Sequence, residues 1–194
     1  MKVADKHKKI VQAAIKIFAE KGFFSARISE IAKEANVADG TIYLYFNNKY
    51  DILVTIFEDE MGKIIARVKH ELSLYDDPRE KLRIFARFHL GIVEENRHLA
   101  EVIQVELRQN SKFMREYRNK KFAEYLNLIS SIVREGQAEG VFRDDVSPGI
   151  FKRAFFGAVD EMSRFWVLSS RKKYQPAEAA EQISSFFIDG ILAT

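Results

Sequence analysis

Apolar residues recur at intervals of three and four positions along almost the entire chain. In the first such segment they stand at Ile10, Ala14, Ile17 and Phe18. This spacing places side chains on one face of an α-helix, whereas a half-buried strand requires alternation at every second residue. No alternating run flanked by hairpin turns is present, and no internal repeat is visible. The pattern predicts an all-α protein of roughly nine helices.

Breaks in the apolar pattern divide the chain into a small and a large part. Gly22 ends the first helix, and Asn36 ends a short second helix. From Tyr50 to Leu72 one apolar stripe continues over about six helical turns. We therefore predict a three-helix domain over residues 1–48 and a helical-bundle domain over residues 49–194. The helix at about 49 to 73 would connect them.

The residue types needed for most catalytic and metal sites are missing or wrongly spaced. There is no cysteine, and the four histidines show no paired metal-ligand spacing. His89 lies on an apolar face, where a hydrogen-bonded core histidine is the common case. Neither a Gly-rich phosphate loop nor an apolar run of about 18 residues occurs. We predict a soluble, cytoplasmic protein that is not an enzyme, has no metal or cofactor, and does not enter a membrane.

Positive charge is concentrated in the first quarter of the sequence. Residues 1–50 hold nine Lys/Arg and five Asp/Glu, whereas residues 51–194 hold 22 and 23. A net charge of +4 on the small domain and −1 on the remainder favours a polyanionic partner for the small domain, although solvated lysines would give the same balance.

The stretch "NVADGTIYLYFNNK", residues 36–49, follows the second helix and matches the second half of a helix-turn-helix. At 100° per residue, Ile42 and Phe46 share the inward face, whereas Gly40, Leu44 and Asn47 lie on the opposite face. That face suits the DNA major groove: glycine permits close approach to bases, and leucine can contact a thymine methyl group. The flanking tyrosine hydroxyls could reach phosphates or bases, although paired tyrosines are more often packing residues.

Phosphate contacts are predicted for Thr41, by its hydroxyl near the helix N-terminus, and for Lys49, by its charge. The predicted DNA-contacting residues are Arg27, Ser29, Ala38, Gly40, Thr41, Tyr43, Leu44, Tyr45 and Lys49.

The segment "IVQAAIKIFAEKGFFSARISEIAKEANVADGTIYLYFNNKYDIL", residues 10–53, resembles the DNA-binding domain of the TetR family of bacterial transcriptional regulators. The resemblance implies a homodimer on a palindromic DNA operator, with repression relieved by a small ligand in the larger domain. One departure is Ala26-Arg27, where the family often has two threonines. Arg27 could supply the phosphate contact by charge or be a solvated loop residue. The lost cap would cost about 1 kcal/mol unless Ser25 or Ser29 compensates.

Two further segments, "QVELRQN" at 104–110 and "FGAVDEMSRFWV" at 156–167, are similar to the FadR type of TetR regulator. That type represses fatty-acid degradation genes and leaves DNA on binding long-chain acyl-CoA, which implies an apolar tunnel with a basic mouth. Arg108, beside Lys112, Arg115 and Arg118, is the first candidate for the polar contact, although an ion pair with Glu101 or Glu106 is equally consistent. The predicted ligand-binding residues are Phe85, Phe88, Ile92, Ile103, Leu107, Arg108, Phe122, Tyr125, Phe155 and Val159.

By family resemblance the last two helices form the dimer surface, and they carry more apolar residues than a monomer core needs. The predicted interface residues are Met162, Phe165, Trp166, Phe186, Phe187 and Ile191. Two other functions stay open. A repressor of a multidrug efflux system could bind cationic compounds through Asp160 and Glu161. A constitutive DNA-binding protein would have a filled C-terminal core.

Overall fold

The computed structural model describes residues 3–103, 120–169 and 174–193, and these residues are almost entirely helical. The described helices are α1 (Val3–Lys21), α2 (Ile28–Glu34), α3 (Asp39–Ile42), α4 (Lys49–Leu72), α5 (Pro78–Glu95), α6 (Arg97–Glu101), α7 (Lys120–Ala138), α8 (Pro148–Leu168) and α9 (Pro176–Asp189). The all-α class predicted from the apolar spacing is confirmed.

Local sequence explains where several helices begin and end. Gly22 closes α1 with a φ of 77°, a left-handed conformation that glycine adopts without strain. Asn36 ends α2 with a φ of 54°, which asparagine tolerates better than most residues. Pro78 opens α5, and the Asp77 carboxylate accepts a hydrogen bond from the backbone N–H of Arg79 at 2.9 Å.

The described residues form two compact units. The first unit comprises residues 3–60 and 96–103, and the second comprises residues 61–95, 120–169 and 174–193. In the first unit, α1 packs on α2 and on the short α6, and α2 packs on α3. The assignment of α6 to this unit was not predicted, because pairing between distant segments leaves no mark in local apolar spacing.

The second unit is a helical bundle in which α5 contacts α7, α8 and α9. Its core holds Leu82, Phe85, Ile129, Phe155 and Val159, all fully buried. The chain end is fixed to the loop after α7, because the Arg143 N–H donates to the Ile191 carbonyl at 2.9 Å and the Ala193 N–H donates to the Val141 carbonyl at 3.0 Å. No helix in the described ranges is both long enough and apolar enough to cross a membrane.

Candidate nucleic-acid interface and effector site

The α3 segment turns two apolar side chains inward and two outward. Ile42 and Phe46 are buried, as the angular spacing predicts. Leu44 is 81% exposed and Tyr43 is 59% exposed, which are high values for large apolar side chains in a folded domain. Ile42 and Phe46 therefore hold the segment on the unit, and Leu44 and Tyr43 are available to a partner.

Regular α-helix ends earlier in this segment than the sequence predicts. It covers Asp39–Ile42, and the backbone continues as a turn in which the Leu44 N–H donates to Thr41 and the Tyr45 N–H donates to Ile42, at 3.2 and 3.0 Å. These bonds span three residues and tighten the helix end. The segment that the sequence predicts as helical through Asn47 is thus one regular turn followed by a tighter one, and Leu44 lies in the tighter part.

Gly40 and Ala38 form a small, open surface at the start of α3. Both residues are exposed, and a Cβ atom added to Gly40 would meet no other atom within 4 Å. Protein packing therefore does not require glycine at this position. The small side chains leave the backbone accessible to a ligand, which agrees with the predicted close approach to base edges. Thr41 is half-buried beside them.

The two tyrosines that follow α3 differ in their surroundings. The Tyr45 ring is half-buried and lies edge-on to the His7 ring of α1, with centroids 6.1 Å apart. His7 also lies 5.1 Å from the Phe46 ring. Tyr43 has neither contact and is mostly exposed. The Tyr45 hydroxyl is therefore held in place by packing on α1, whereas Tyr43 is free to adjust to a partner.

The start of α2 is capped by a residue that the sequence argument did not consider. The Glu30 carboxylate accepts the backbone N–H of Arg27 at 2.9 Å and the Lys21 ammonium at 2.5 Å. The hydrogen bond from Lys21, followed by that from the Arg27 backbone, lowers the pKa of Glu30. Glu30 thus supplies the acidic half of a capping box in place of Ser25 or Ser29. The side chains of Arg27 and Ser29 are exposed.

Lys49 is engaged within the protein. Its ammonium donates hydrogen bonds to the carbonyl oxygens of Phe24 and Ala26, at 3.0 and 2.8 Å. It also lies 4.8 Å from the centroid of the Phe23 ring. Burial lowers the pKa of this ammonium. Two of its three N–H donors are therefore used to fix the α1–α2 turn, and the predicted phosphate contact of Lys49 stays a prediction.

Asn47 is also engaged within the protein. Its backbone N–H and its side-chain amide both donate to the Asp51 carboxylate, at 3.0 and 3.1 Å. The Asn48 side chain accepts the Asp51 N–H at 2.9 Å and so caps α4. Asn47 is thus exposed but held by Asp51, whereas the exposed Gly40, Leu44 and Tyr43 have no such bond within the described part of the chain; base contact by this face stays a prediction.

The second unit contains a buried aromatic cluster between α5, α7 and α8. The Phe85 ring lies 5.0 Å from the Tyr125 ring and 6.3 Å from the Phe155 ring. The Phe156 ring connects Phe122 to them, at 5.3 Å from Phe122 and 6.2 Å from Tyr125. Four predicted ligand-binding residues, Phe85, Phe122, Tyr125 and Phe155, therefore belong to one cluster. Their role in ligand binding stays a prediction, because a closed aromatic cluster also serves as core.

Polar side chains occupy the centre of this cluster. His89 Nδ1 and the Tyr125 hydroxyl are 3.1 Å apart, and His89 Nε2 is 3.7 Å from an Asp160 carboxylate oxygen. All three side chains are buried. Burial, together with the nearby charge of Asp160, raises the pKa of Tyr125, so this hydroxyl keeps its proton at physiological pH. His89 is hydrogen-bonded and buried, as predicted, whereas the pairing of Asp160 with it was not predicted from the sequence.

The remaining predicted ligand residues lie in different places. Val159 is fully buried, whereas Phe88 and Ile92 are half-buried, and the Arg67 guanidinium covers the Phe88 ring at 5.0 Å. Ile103 is half-buried and belongs to the first unit. Leu107, Arg108, Lys112, Arg115 and Arg118 lie outside the described residues. Glu161, considered as a cation ligand, is exposed and bonded to Arg164 at 2.8 and 2.6 Å.

The apolar residues of α8 and α9 separate into an exposed set and a buried set. Phe186 is 72% exposed, Phe165 is 39% exposed, and Met162 is half-buried. Trp166 and Ile191 are buried, and the Phe187 ring packs edge-on against Phe151 and Phe155, at 5.7 and 5.3 Å. Within the described part of this unit Trp166 and Ile191 are therefore core residues and Phe187 is half-buried, whereas the interface role predicted for the six residues stays a prediction.

Two exposed apolar residues of α8 were missed. Ile150 and Leu168 are both more than half exposed, near the two ends of the helix. At 100° per residue, Ile150, Phe165 and Leu168 lie within about 60° of one another around α8. This angular spacing could have indicated a shared exposed face from the sequence. Among the described residues, no group of three His, Asp or Glu side chains is placed to hold a metal ion.

Two family models together match most of the chain. Residues 10–56 match the model of bacterial regulatory proteins of the tetR family, and residues 57–190 match the model of the C-terminal region of YsiA-like proteins. The fatty acid metabolism regulator protein of Bacillus subtilis strain 168 is 34% identical over 186 residues, which cover 96% of this chain and 95% of that protein.

Solved structures of regulators are similar over the same length. The crystal structure of the transcriptional regulator FadR from Bacillus subtilis in complex with stearoyl-CoA matches with a TM-score of 0.88 and 34% identity, covering 95% of this chain and 98% of that one. The fatty acid degradation regulator FadR from Bacillus halodurans matches with a TM-score of 0.86 and 34% identity, covering 94% and 98%.

Proposed function

The chain belongs to the TetR family of bacterial regulatory proteins, and from this premise we propose that it represses fatty-acid degradation genes and leaves its operator on binding long-chain acyl-CoA. The similarity that carries the proposal is the full-length match, at 34% identity, to a FadR whose structure contains stearoyl-CoA. The family predicted from residues 10–53 is thereby confirmed, and its members described above are regulators rather than enzymes.

DNA binding is assigned to the domain over residues 1–48. The residues that contact bases are Gly40, Leu44 and Tyr43, because they form the exposed side of the α3 segment. Arg27, Ser29, Ala38, Thr41 and Tyr45 surround this surface and contact phosphates or the groove edges. Lys49 is left out of the contact set, because its ammonium holds the α1–α2 turn.

Effector binding is assigned to the domain over residues 49–194. The acyl chain is accommodated by the aromatic residues around Phe85, Tyr125 and Phe155, which already form an apolar interior. The CoA phosphates require a basic surface, for which Arg108 remains the first candidate from the sequence.

The active form is a homodimer on a palindromic operator in the cytoplasm, without a bound metal or cofactor. Support for the dimer comes from the exposed apolar side chains of α8 and α9, namely Phe165 and Phe186 with Met162 half-buried beside them. Such a surface is unfavourable in water and is stabilised when a second copy covers it. Two copies also place two recognition segments on successive half-sites.

A DNA-release experiment tests the function. The full-length protein is bound to a fluorescent DNA duplex selected for its affinity, and acyl-CoAs of graded length are added. Long-chain acyl-CoA should release the DNA, whereas free fatty acid and CoA alone should not. Release by cationic dyes without any response to acyl-CoA would instead support the efflux-regulator alternative, in which Asp160 binds the cation. If no compound releases the DNA, the result would favour a constitutive DNA-binding protein.

A further inference from the structure

Four buried polar atoms of the second unit lack a hydrogen-bond partner within the part of the chain that the structure describes, and one of them, Arg83 Nε, lies 3.3 Å from the Glu181 carboxylate. The other three lie on or beside helix α8. They are His89 Nε2, Ser163 Oγ and Trp166 Nε1. Their residues are 5%, 0% and 4% exposed, so water in bulk does not reach them. Buried polar groups in proteins are nearly always hydrogen-bonded, and a cluster of exceptions calls for an absent partner.

Two of these atoms, Ser163 Oγ and Trp166 Nε1, belong to helix α8, and Asp160 of the same helix links them to the third. Asp160, Ser163 and Trp166 are successive positions three residues apart, which brings neighbouring side chains together on a helix. From Asp160 to Trp166 the row extends about 9 Å. His89 of α5 joins it at one end, because its Nε2 lies 3.7 Å from the Asp160 carboxylate. The row borders the aromatic cluster, since the His89 ring lies 5.2 Å from the Phe156 ring.

The three groups can all act as hydrogen-bond donors. The Trp166 indole N–H can only donate, and the Ser163 hydroxyl can donate. His89 Nδ1 lies 3.1 Å from the Tyr125 hydroxyl, and in the tautomer in which Nδ1 accepts from that hydroxyl the ring proton is on Nε2, beside the Asp160 carboxylate. A row of donors next to an apolar interior fits a ligand that combines an acceptor oxygen with an apolar chain.

We infer that this row, centred on Ser163, binds the thioester carbonyl oxygen of the acyl-CoA effector. The inference rests on the proposed function and adds to it a fixed point within the ligand. The carbonyl lies at α8, and the acyl chain continues from it among Phe85, Phe155 and their neighbours. Because the position of the carbonyl is fixed, the length of this apolar region determines which acyl chains fit. Trp166, predicted as an interface residue, becomes a ligand-binding residue.

Two ligands that differ at one group provide the test. Stearoyl-CoA contains the carbonyl, and S-octadecyl-CoA replaces it with a methylene while keeping the chain length and the CoA. Titration calorimetry of the full-length protein measures both dissociation constants. The wild type should bind stearoyl-CoA about fivefold to tenfold more tightly, the effect of one net hydrogen bond. Ser163→Ala and Trp166→Phe should reduce this ratio, and Ser163→Ala should bring it below about twofold.

The matched control is Ser130→Ala. Ser130 is equally buried in the same unit, but its hydroxyl donates to the Asn127 carbonyl of its own helix at 3.0 Å. This variant should keep the wild-type ratio. Equal binding of the two ligands by the wild type, or an unchanged ratio in Ser163→Ala, would overturn the inference and leave the proposed function standing. Binding of neither ligand would refute the proposed function and the inference with it.

Discussion

Replacement of Lys49 by alanine tests whether this residue holds the α1–α2 turn or contacts DNA. The ammonium forms two hydrogen bonds to carbonyl oxygens, at 3.0 and 2.8 Å, and lies over the Phe23 ring. For a half-buried group we take about 1 kcal/mol for each bond and about 0.5 kcal/mol for the ring contact. The variant should therefore lose about 2–3 kcal/mol of stability in the first unit.

Two measurements separate the two roles. By calorimetry, the thermal midpoint should fall by roughly 4–12 °C, since 1 kcal/mol corresponds to about 2–4 °C for a chain of this size. By fluorescence anisotropy on a selected duplex, the affinity for DNA should fall, because Arg27 directly follows the α1–α2 turn and loses its fixed position when that turn is no longer held. The slope of log affinity against log salt should change by less than half of the 0.9 expected for one lost phosphate contact.

Lys33→Ala serves as the control for charge. Lys33 is exposed on α2, so its removal takes one positive charge from the same unit without disturbing the turn. Its stability should stay within about 0.5 kcal/mol of wild type. A slope that becomes shallower by about 0.9 in Lys49→Ala, with an unchanged thermal midpoint, would refute the assignment and restore Lys49 as a phosphate contact.

The remaining predictions concern the DNA surface, the dimer and the core of the second unit. Leu44→Ala should weaken binding by roughly fivefold and relax preference at one or two base pairs; an unaltered base-by-base competition profile would show that Leu44 does not contact bases. Phe186→Glu should convert dimers to monomers in sedimentation velocity, because a dimer would bury the added carboxylate, and an intact dimer would exclude this surface. Gly136→Ala should destabilise by about 1–3 kcal/mol in urea unfolding, because its Cβ would lie 2.1 Å from the Phe142 ring. Gly91→Ala, where no atom lies within 4 Å of the added Cβ, should instead be neutral or stabilising, and equal effects of the two glycine variants would contradict the packing argument.

Interactions between residues close in sequence were predicted well. Ile42 and Phe46 are four residues apart, so the angular spacing of a helix assigns them to one face without knowledge of the rest of the chain. The inward face of α3 follows from this spacing and is observed. Asn47 is exposed, as the same spacing predicts, but the spacing did not indicate that a local partner, Asp51, binds its side chain. Local periodicity predicts which face of a helix a side chain occupies, but it does not predict which of several possible hydrogen-bond partners the side chain takes.

Interactions between distant segments could not be predicted from periodicity. The carbonyl partners of Lys49 lie 23 and 25 residues away in sequence. The burial of Trp166 and Ile191 depends on how α8 and α9 pack against the rest of the bundle, because each helix carries apolar residues on more than one side. An apolar pattern predicts that a residue is buried. Only the packing of the helices shows whether residues of the same subunit bury it.

The sequence by itself determined the helical class, the recognition segment and, through motif resemblance, the family. These properties depend on short-range spacing and on backbone requirements at residues such as Gly22 and Asn36. The tertiary structure alone decided that Lys49 holds the α1–α2 turn and that His89 lies beside Asp160 among buried polar side chains. Each of these contacts joins residues whose proximity is set by packing between helices, and the free energy of that packing is a property of the assembled core rather than of any local segment.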